Sequence, residues 1–121
     1  MASIRSYSDL VAWRKAMDLV VAVYKATDKL PSNEQYGLTN QIRRAVVSIP
    51  SNIAEGQGRS SVNEFARFLS ISRGSLYELE TQLLIAERLA YLSEGESAGL
   101  LRLTDEVGRL LRGLSRSVAP R

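Results

Sequence analysis

The chain has 121 residues, 45% of them hydrophobic and 24% charged, a balance that fits one soluble globular domain and not a disordered segment. It contains neither cysteine nor histidine, which excludes disulfides, Cys/His zinc sites and every histidine-dependent acid–base or nucleophilic mechanism. The net charge is +3, and arginine supplies 13 of the 16 basic residues. Arginine binds phosphate as a planar fork and so leans the chain towards nucleic acid, while surface pairing with the 13 acids accounts for so small an excess equally well.

No apolar run approaches the roughly 20 residues of a bilayer span, and the opening MASIRSYSDL has no apolar signal core. A cytoplasmic protein without membrane contact is expected. In the first segment Leu10, Trp13, Met17, Val20 and Tyr24 alternate at spacings of three and four, the seam of a helix over 8–30. Leu30-Pro31 stops it. Ser32 and Gln35 have capping-box spacing and open a second helix over 33–56, with Leu38, Ile42, Val46, Ile49 and Ile53 as its apolar face. Ser61 and Glu64 open a third over 61–91, whose stripe runs Phe65, Leu69, Ser72, Leu76, Leu79, Leu83, Ala86 and Ala90. Ser93 and Glu96 open a fourth over 94–117, carrying Leu100, Leu103, Val107, Leu110 and Leu114. Four helices with short connections predict an all-α, antiparallel up-down-up-down four-helix bundle in a single domain over 1–121.

Within the second helix, AVVSIPSNIAEGQGR breaks the monotony. At 100° per residue Arg44, Ser48, Asn52, Glu55 and Arg59 collect opposite the apolar face. Pro50 removes a backbone donor and is expected to kink the helix, with Ser48 or Ser51 answering the freed backbone groups. Gly56 and Gly58 are expected to supply left-handed conformations that end it. Two readings stand. In one, Asn52, Glu55 and Arg59 tie a structural corner together. In the other, the glycine turn and Arg59 meet a phosphate near the start of the third helix.

Three blocks, LVAWRKAMDLVVAVYKAT, LTNQIRRAVVSIPSNIAEGQGR and EFARFLSISRGSLYELETQL, resemble the signature blocks of the four-helix-bundle family named for the 23S rRNA intervening-sequence protein. The resemblance places family motif positions on Trp13, then on Gln41, Arg43, Arg44, Ser48, Pro50, Asn52, Glu55, Gly56, Gly58 and Arg59, and finally on Glu64, Phe68, Arg73, Gly74, Ser75 and Glu78. It implies a bacterial protein assembled as a homopentameric barrel of antiparallel bundles. The chain is also similar to the accessory variability determinants of diversity-generating retroelements, which implies RNA or DNA binding and a protein partner such as a reverse transcriptase.

Independently of that resemblance, Tyr77, Leu84 and Tyr91 recur every seven residues to one side of the core stripe of the third helix, and Leu19 sits nearly opposite the seam of the first. These four residues are the candidate oligomer interface. Arg102, Arg109, Arg112 and Arg116 share a face of the last helix and, with Arg44 and Arg59, are the candidate nucleic-acid contacts. Ser48, Pro50, Asn52, Glu55, Gly56, Gly58 and Glu78 are assigned to structure first. Glu55, Glu64 and Glu78 lack the Glu-x-x-His pairs of a di-iron bundle, so no metal, cofactor or catalytic residue is expected. The expected function is a non-enzymatic oligomeric scaffold contacting nucleic-acid backbone through arginine. The alternative is a protein-interaction or structural module with no nucleic-acid binding.

Overall fold

The computed structural model describes residues 6–118. Four helices make up the described chain: α1 (Val11–Thr27), α2 (Leu38–Gln57), α3 (Val62–Arg88) and α4 (Glu94–Ser117), with short 3-10 turns at Tyr7–Asp9 and Ser32–Glu34. Helix α1 packs on α2 and α4, and α3 packs on the same two, so α2 and α4 lie on opposite corners and do not touch. Pairs along the α2–α3 seam run in opposite senses, Ser48 with Ser75, Ile49 with Ser72 and Gly56 with Phe68. The ion pairs Lys15–Glu106 and Lys29–Glu96 set α1 antiparallel to α4 in the same way.

Helix starts follow the local chemistry at two of the three expected boxes. The Ser61 hydroxyl accepts from the Glu64 amide, and Ser93 and Glu96 form a reciprocal box. Ser32 does not open α2. It begins the 3-10 turn, and α2 starts five residues beyond the expected boundary behind Gly37. Gly37 has no side chain to cap with, and Glu34 Oε1 accepts from the Leu38 amide at 3.1 Å instead. A β-carbon at position 37 would sit 2.7 Å from that same oxygen, so the glycine makes room for the borrowed cap.

Helix α3 ends at Arg88, and Ala90, expected on its apolar stripe, is exposed with φ of 62°. The Tyr91 amide donates to the Ala86 carbonyl and the Ala90 amide to the Glu87 carbonyl. This is a Schellman ending with alanine where glycine is usual. It turns the chain so that Leu92 is buried.

The core is one cluster. Helix α2 contributes Leu38, Ile42, Val46, Ile49 and Ile53, and α3 contributes Leu69, Leu76, Leu79, Leu83 and Ala86, as the periodicity predicts. Helix α1 is rotated from its expected seam. Ala12, Ala16, Leu19 and Val23 fill the interior, while Trp13 and Val20 are half-buried and Met17 and Tyr24 are exposed. The alanines let α1 approach its neighbours closely, which pushes the bulkier side chains to the fringe. Leu19, expected at an oligomer interface, is therefore fully buried inside the bundle.

Candidate nucleic-acid interface

The polar stripe of α2 divides into two parts. The inner part is a hydrogen-bonded seam with α3. Asn52 Nδ2 donates to the Ser48 carbonyl and to Ser48 Oγ, both at 2.8 Å, and Ser48 Oγ meets Ser75 Oγ at 2.8 Å. Ser72 is fully buried and donates to the Ile49 carbonyl at 2.9 Å. The carbonyls next to Pro50 thus gain side-chain donors from Asn52 and Ser72. Ser51 stays exposed, and Ser48 is engaged with Ser75 and Asn52. The chain remains α-helical on both sides of the buried proline.

Neither glycine of the turn is left-handed. Gly56 is buried inside α2, Gly58 caps it with φ of −76°, and no described glycine has positive φ. The reason for Gly56 is close approach. An added β-carbon would lie 2.6 Å from Phe68 Cβ and 3.1 Å from Phe65 Cδ1. Beyond it, Arg59 bonds Glu55 at 2.6 Å and lies 5.0 Å over the Phe68 ring, with Arg67 at 5.3 Å from that ring. Asn52, Glu55 and Arg59 each have a partner within the fold. Glu78 takes no part in the seam. It is exposed and makes no hydrogen bond or ion pair among the described residues.

The six candidate arginines do not form one surface. Arg44 lies on α2 and Arg59 in the turn that follows it, while Arg102, Arg109, Arg112 and Arg116 lie on α4, the helix at the opposite corner of the bundle from α2. Arg59 is committed to Glu55, and Arg109 reaches Asp105 at 3.5 Å in a largely exposed pair worth under about 1 kcal/mol. Arg102, Arg112 and Arg116 have no acidic partner among the described residues. Arg102 and Arg116 are exposed and Arg112 is half-buried, and Arg102 borders a shallow depression formed with Ala98, Leu101, Asp105, Glu106 and Arg109. Arg44 is likewise exposed and unpaired.

Of the candidate interface residues, Tyr77 and Leu84 are 53% and 44% exposed. Tyr91 is not part of their row. It lies beyond the end of α3, packs against the core, and donates to Glu34 Oε2 at 2.9 Å. That bond, partial burial and the Glu34 charge raise its phenol above the ordinary value of 10.0. Sequence reasoning missed exposed Ile71 and Ile85 on α3, and an apolar groove between α1 and α2. Ile71 and Ile85 share a 3–4 spacing with Gly74, Glu78 and Thr81, a signal hidden by the polar residues between them.

No cluster of three metal-ligating side chains occurs among the described residues, and none of their helices is long and apolar enough to cross a membrane. Glu55 pairs with Arg59 at the end of α2 and Glu64 with Arg67 on α3, and neither pair includes Glu78. The geometry defines a small all-α bundle with a polar α2–α3 seam and an arginine-bearing outer helix. Residues 8–113 match the model of the 23S rRNA-intervening sequence protein family, and the chain belongs to that family. It is similar in structure to a protein of unknown function from the S23 ribosomal protein family of Bacteroides thetaiotaomicron. The TM-score is 0.80 at 25% identity, with 87% of this chain and 98% of that one covered. No curated protein matches the sequence.

Proposed function

We propose that this protein is a non-enzymatic, self-associating four-helix-bundle scaffold that holds nucleic-acid backbone against the outer face of α4. The observation that carries the reading is the set Arg102, Arg112 and Arg116 on α4, none of which makes an ion pair among the described residues. Guanidinium groups arrayed along a helix meet phosphates without reading base edges, so binding would be strongly salt-dependent and weakly sequence-selective. Self-association follows from the exposed apolar row on α3, because an aligned set of large side chains in water marks an interface. Repeating one modest arginine patch in each subunit of an assembly multiplies its effect through avidity.

The test is fluorescence anisotropy with a labelled structured RNA and a DNA duplex across a salt series. Affinity falling linearly with salt on logarithmic axes is the expected result. Absence of binding at low salt refutes the nucleic-acid part and leaves a protein-interaction module.

A further inference from the structure

A small polar pocket lies where α1 ends and α2 begins, and no residue of α4 lines it. It encloses about 260 Å³, room for roughly nine water-sized groups at ~30 Å³ each and less than the roughly 300–1,000 Å³ of sites for drug-sized ligands. Thr27 and Asp28 at the end of α1 form one side, Thr39 in the first turn of α2 forms another, and Leu30 and Pro31 supply an apolar wall.

Arg43 lines this pocket in a fixed pose. Its Nε donates to Thr27 Oγ1 at 3.0 Å and its Nη2 to the Tyr24 carbonyl at 3.2 Å and to Asp28 Oδ1 at 3.1 Å, while the guanidinium lies 4.5 Å from the centre of the Tyr24 ring. These bonds use the protons of Nε and Nη2. Nη1, with two more, makes no hydrogen bond among the described residues. Thr39 is the second group left over. Thr27, Thr81 and Thr104 each donate the hydroxyl to the carbonyl four residues back, the usual recourse of a helical threonine. The residue four before Thr39 is Gln35, which stands outside the helix, and the Thr39 hydroxyl makes no hydrogen bond among the described residues although the residue is only 8% exposed. A polar group so placed costs free energy until something supplies a partner.

The pocket also has a polarity. The C-terminus of α1 brings partial negative charge, to which Asp28 adds a full one, and the N-terminus of α2 brings partial positive charge. Lys29 and Glu34 are engaged elsewhere, with Glu96 and with the Leu38 amide and Tyr91. Arg43 and Asp28 therefore leave the pocket neutral as a whole with its two signs side by side. A lone anion meets Asp28 and a lone cation meets Arg43. A ligand carrying both charges a bond or two apart avoids both conflicts.

We infer that this pocket binds a free α-amino acid in its zwitterionic form. The carboxylate accepts from Arg43 Nη1 and the Thr39 hydroxyl, the ammonium donates to the Asp28 carboxylate, and a small side chain rests on Leu30 and Pro31 beside Ser32 and Gln35. Hydrogen bonds between arginine and carboxylate are of the strong, charge-assisted kind. Thr27 and Tyr24 already hold the guanidinium, so binding forfeits little side-chain freedom. The volume admits a side chain of a few atoms and excludes anything of nucleotide size. The site is separate from the arginines of α4 and stands whether or not they hold nucleic acid.

Titration of the isotope-labelled full chain with L-alanine, L-serine and L-threonine, followed by amide NMR shifts, tests the assignment. At least one of them is expected to move the Asp28, Ser32 and Thr39 signals with a dissociation constant of about 1 mM or below. The N-acetyl derivative of that ligand lacks the ammonium and its amide lacks the carboxylate, and each is expected to bind at least about tenfold more weakly. Thr39→Val keeps the shape of the side chain and removes only the hydroxyl, so it is expected to weaken binding about tenfold without lowering the melting temperature. The ligand derivatives leave the protein untouched and keep the test decisive if that variant is unstable. No movement of these signals with any of the three amino acids at tens of millimolar overturns the site. An acetylated ligand that binds as well as the free one reveals a plain carboxylate site and overturns the zwitterion, as does an amide that binds equally well. A Thr39→Val protein with undiminished affinity overturns the placement of the carboxylate.

Discussion

Replacing Gly56 with alanine tests whether the α2–α3 seam is held at its closest possible approach. The new β-carbon would stand 2.6 Å from Phe68 Cβ, 3.1 Å from Phe65 Cδ1 and 3.4 Å from the Phe65 carbonyl oxygen. Carbon atoms prefer separations of about 3.5–4.0 Å. Phe68 Cβ is fixed to the α3 backbone and cannot swing aside, so the helices must part by roughly an ångström over a well-packed stretch. Overpacking of this kind costs about 3 kcal/mol at the upper end of its usual range, and the better helix propensity of alanine returns about 1 kcal/mol. The net expectation is a loss of about 2 kcal/mol, or a melting temperature lower by roughly 6–10 °C for a chain of this size. Two other helical glycines calibrate the result. At Gly99 the nearest atom to a new β-carbon is Arg102 Nη2 at 3.8 Å, an ordinary contact, so Gly99→Ala should gain about 0.5–1 kcal/mol. At Gly108 it is Leu76 Cδ2 at 3.0 Å, the movable end of a side chain, so Gly108→Ala should fall between the two. Urea unfolding of the three variants, followed by circular dichroism, gives the order. If Gly56→Ala is as stabilising as Gly99→Ala, the close-approach argument is wrong.

Three further outcomes can be checked. Ala90→Gly should stabilise by about 0.5–1 kcal/mol in the same urea assay, because glycine adopts the left-handed conformation at the end of α3 without the steric penalty that alanine bears; an unchanged midpoint would show that the turn carries no strain. The Tyr91 phenol is raised in the folded state, so its contribution is intact below the unfolded value near 10 and is lost as pH rises through the folded value. Stability of Tyr91→Phe should therefore decline less than that of wild type above pH ~10, and parallel alkaline curves would refute the coupling. Changing Arg102, Arg112 and Arg116 together to Gln should reduce the slope of log affinity against log salt by about 3 on duplex DNA while leaving the helical spectrum intact, and an unaltered slope would remove these arginines from the interface.

What the sequence made legible was mainly what periodicity and capping encode. The faces of α2 and α3 and the Ser61 and Ser93 starts stand where their spacing puts them. Helix α1 was misjudged because size is a poor guide to depth. Trp13, Met17 and Tyr24 outweigh Ala12 and Ala16 in any apolar stripe, yet only the small residues fit where helices nearly touch. Gly56 reads as a turn glycine because its reason for being there lies in Phe68, twelve positions away on another helix. Ala90 carries no sequence signal for its conformation. The arginines of α2 and α4 look like one set in a linear text, and only the packing order of the helices parts them onto opposite corners. The α1–α2 groove is a property of two helices together, so no single periodicity announces it.

The α2–α3 seam has a consequence for how the chain finds its structure. Apolar ridges are forgiving, and two leucine-rich helices can slide by a turn and still bury similar area. Here a slide of one turn would draw Ser75 away from Ser48, leave Ser72 without the Ile49 carbonyl, and bring a bulkier neighbour than Gly56 against Phe68. Each mismatch strands a polar group or forces a collision, and such errors are costlier than the correct bonds are favourable. The serines, Asn52 and Gly56 together work like the cuts of a key: they add little to the strength with which the helices hold, and they admit one alignment while the alternatives stay high on the folding landscape.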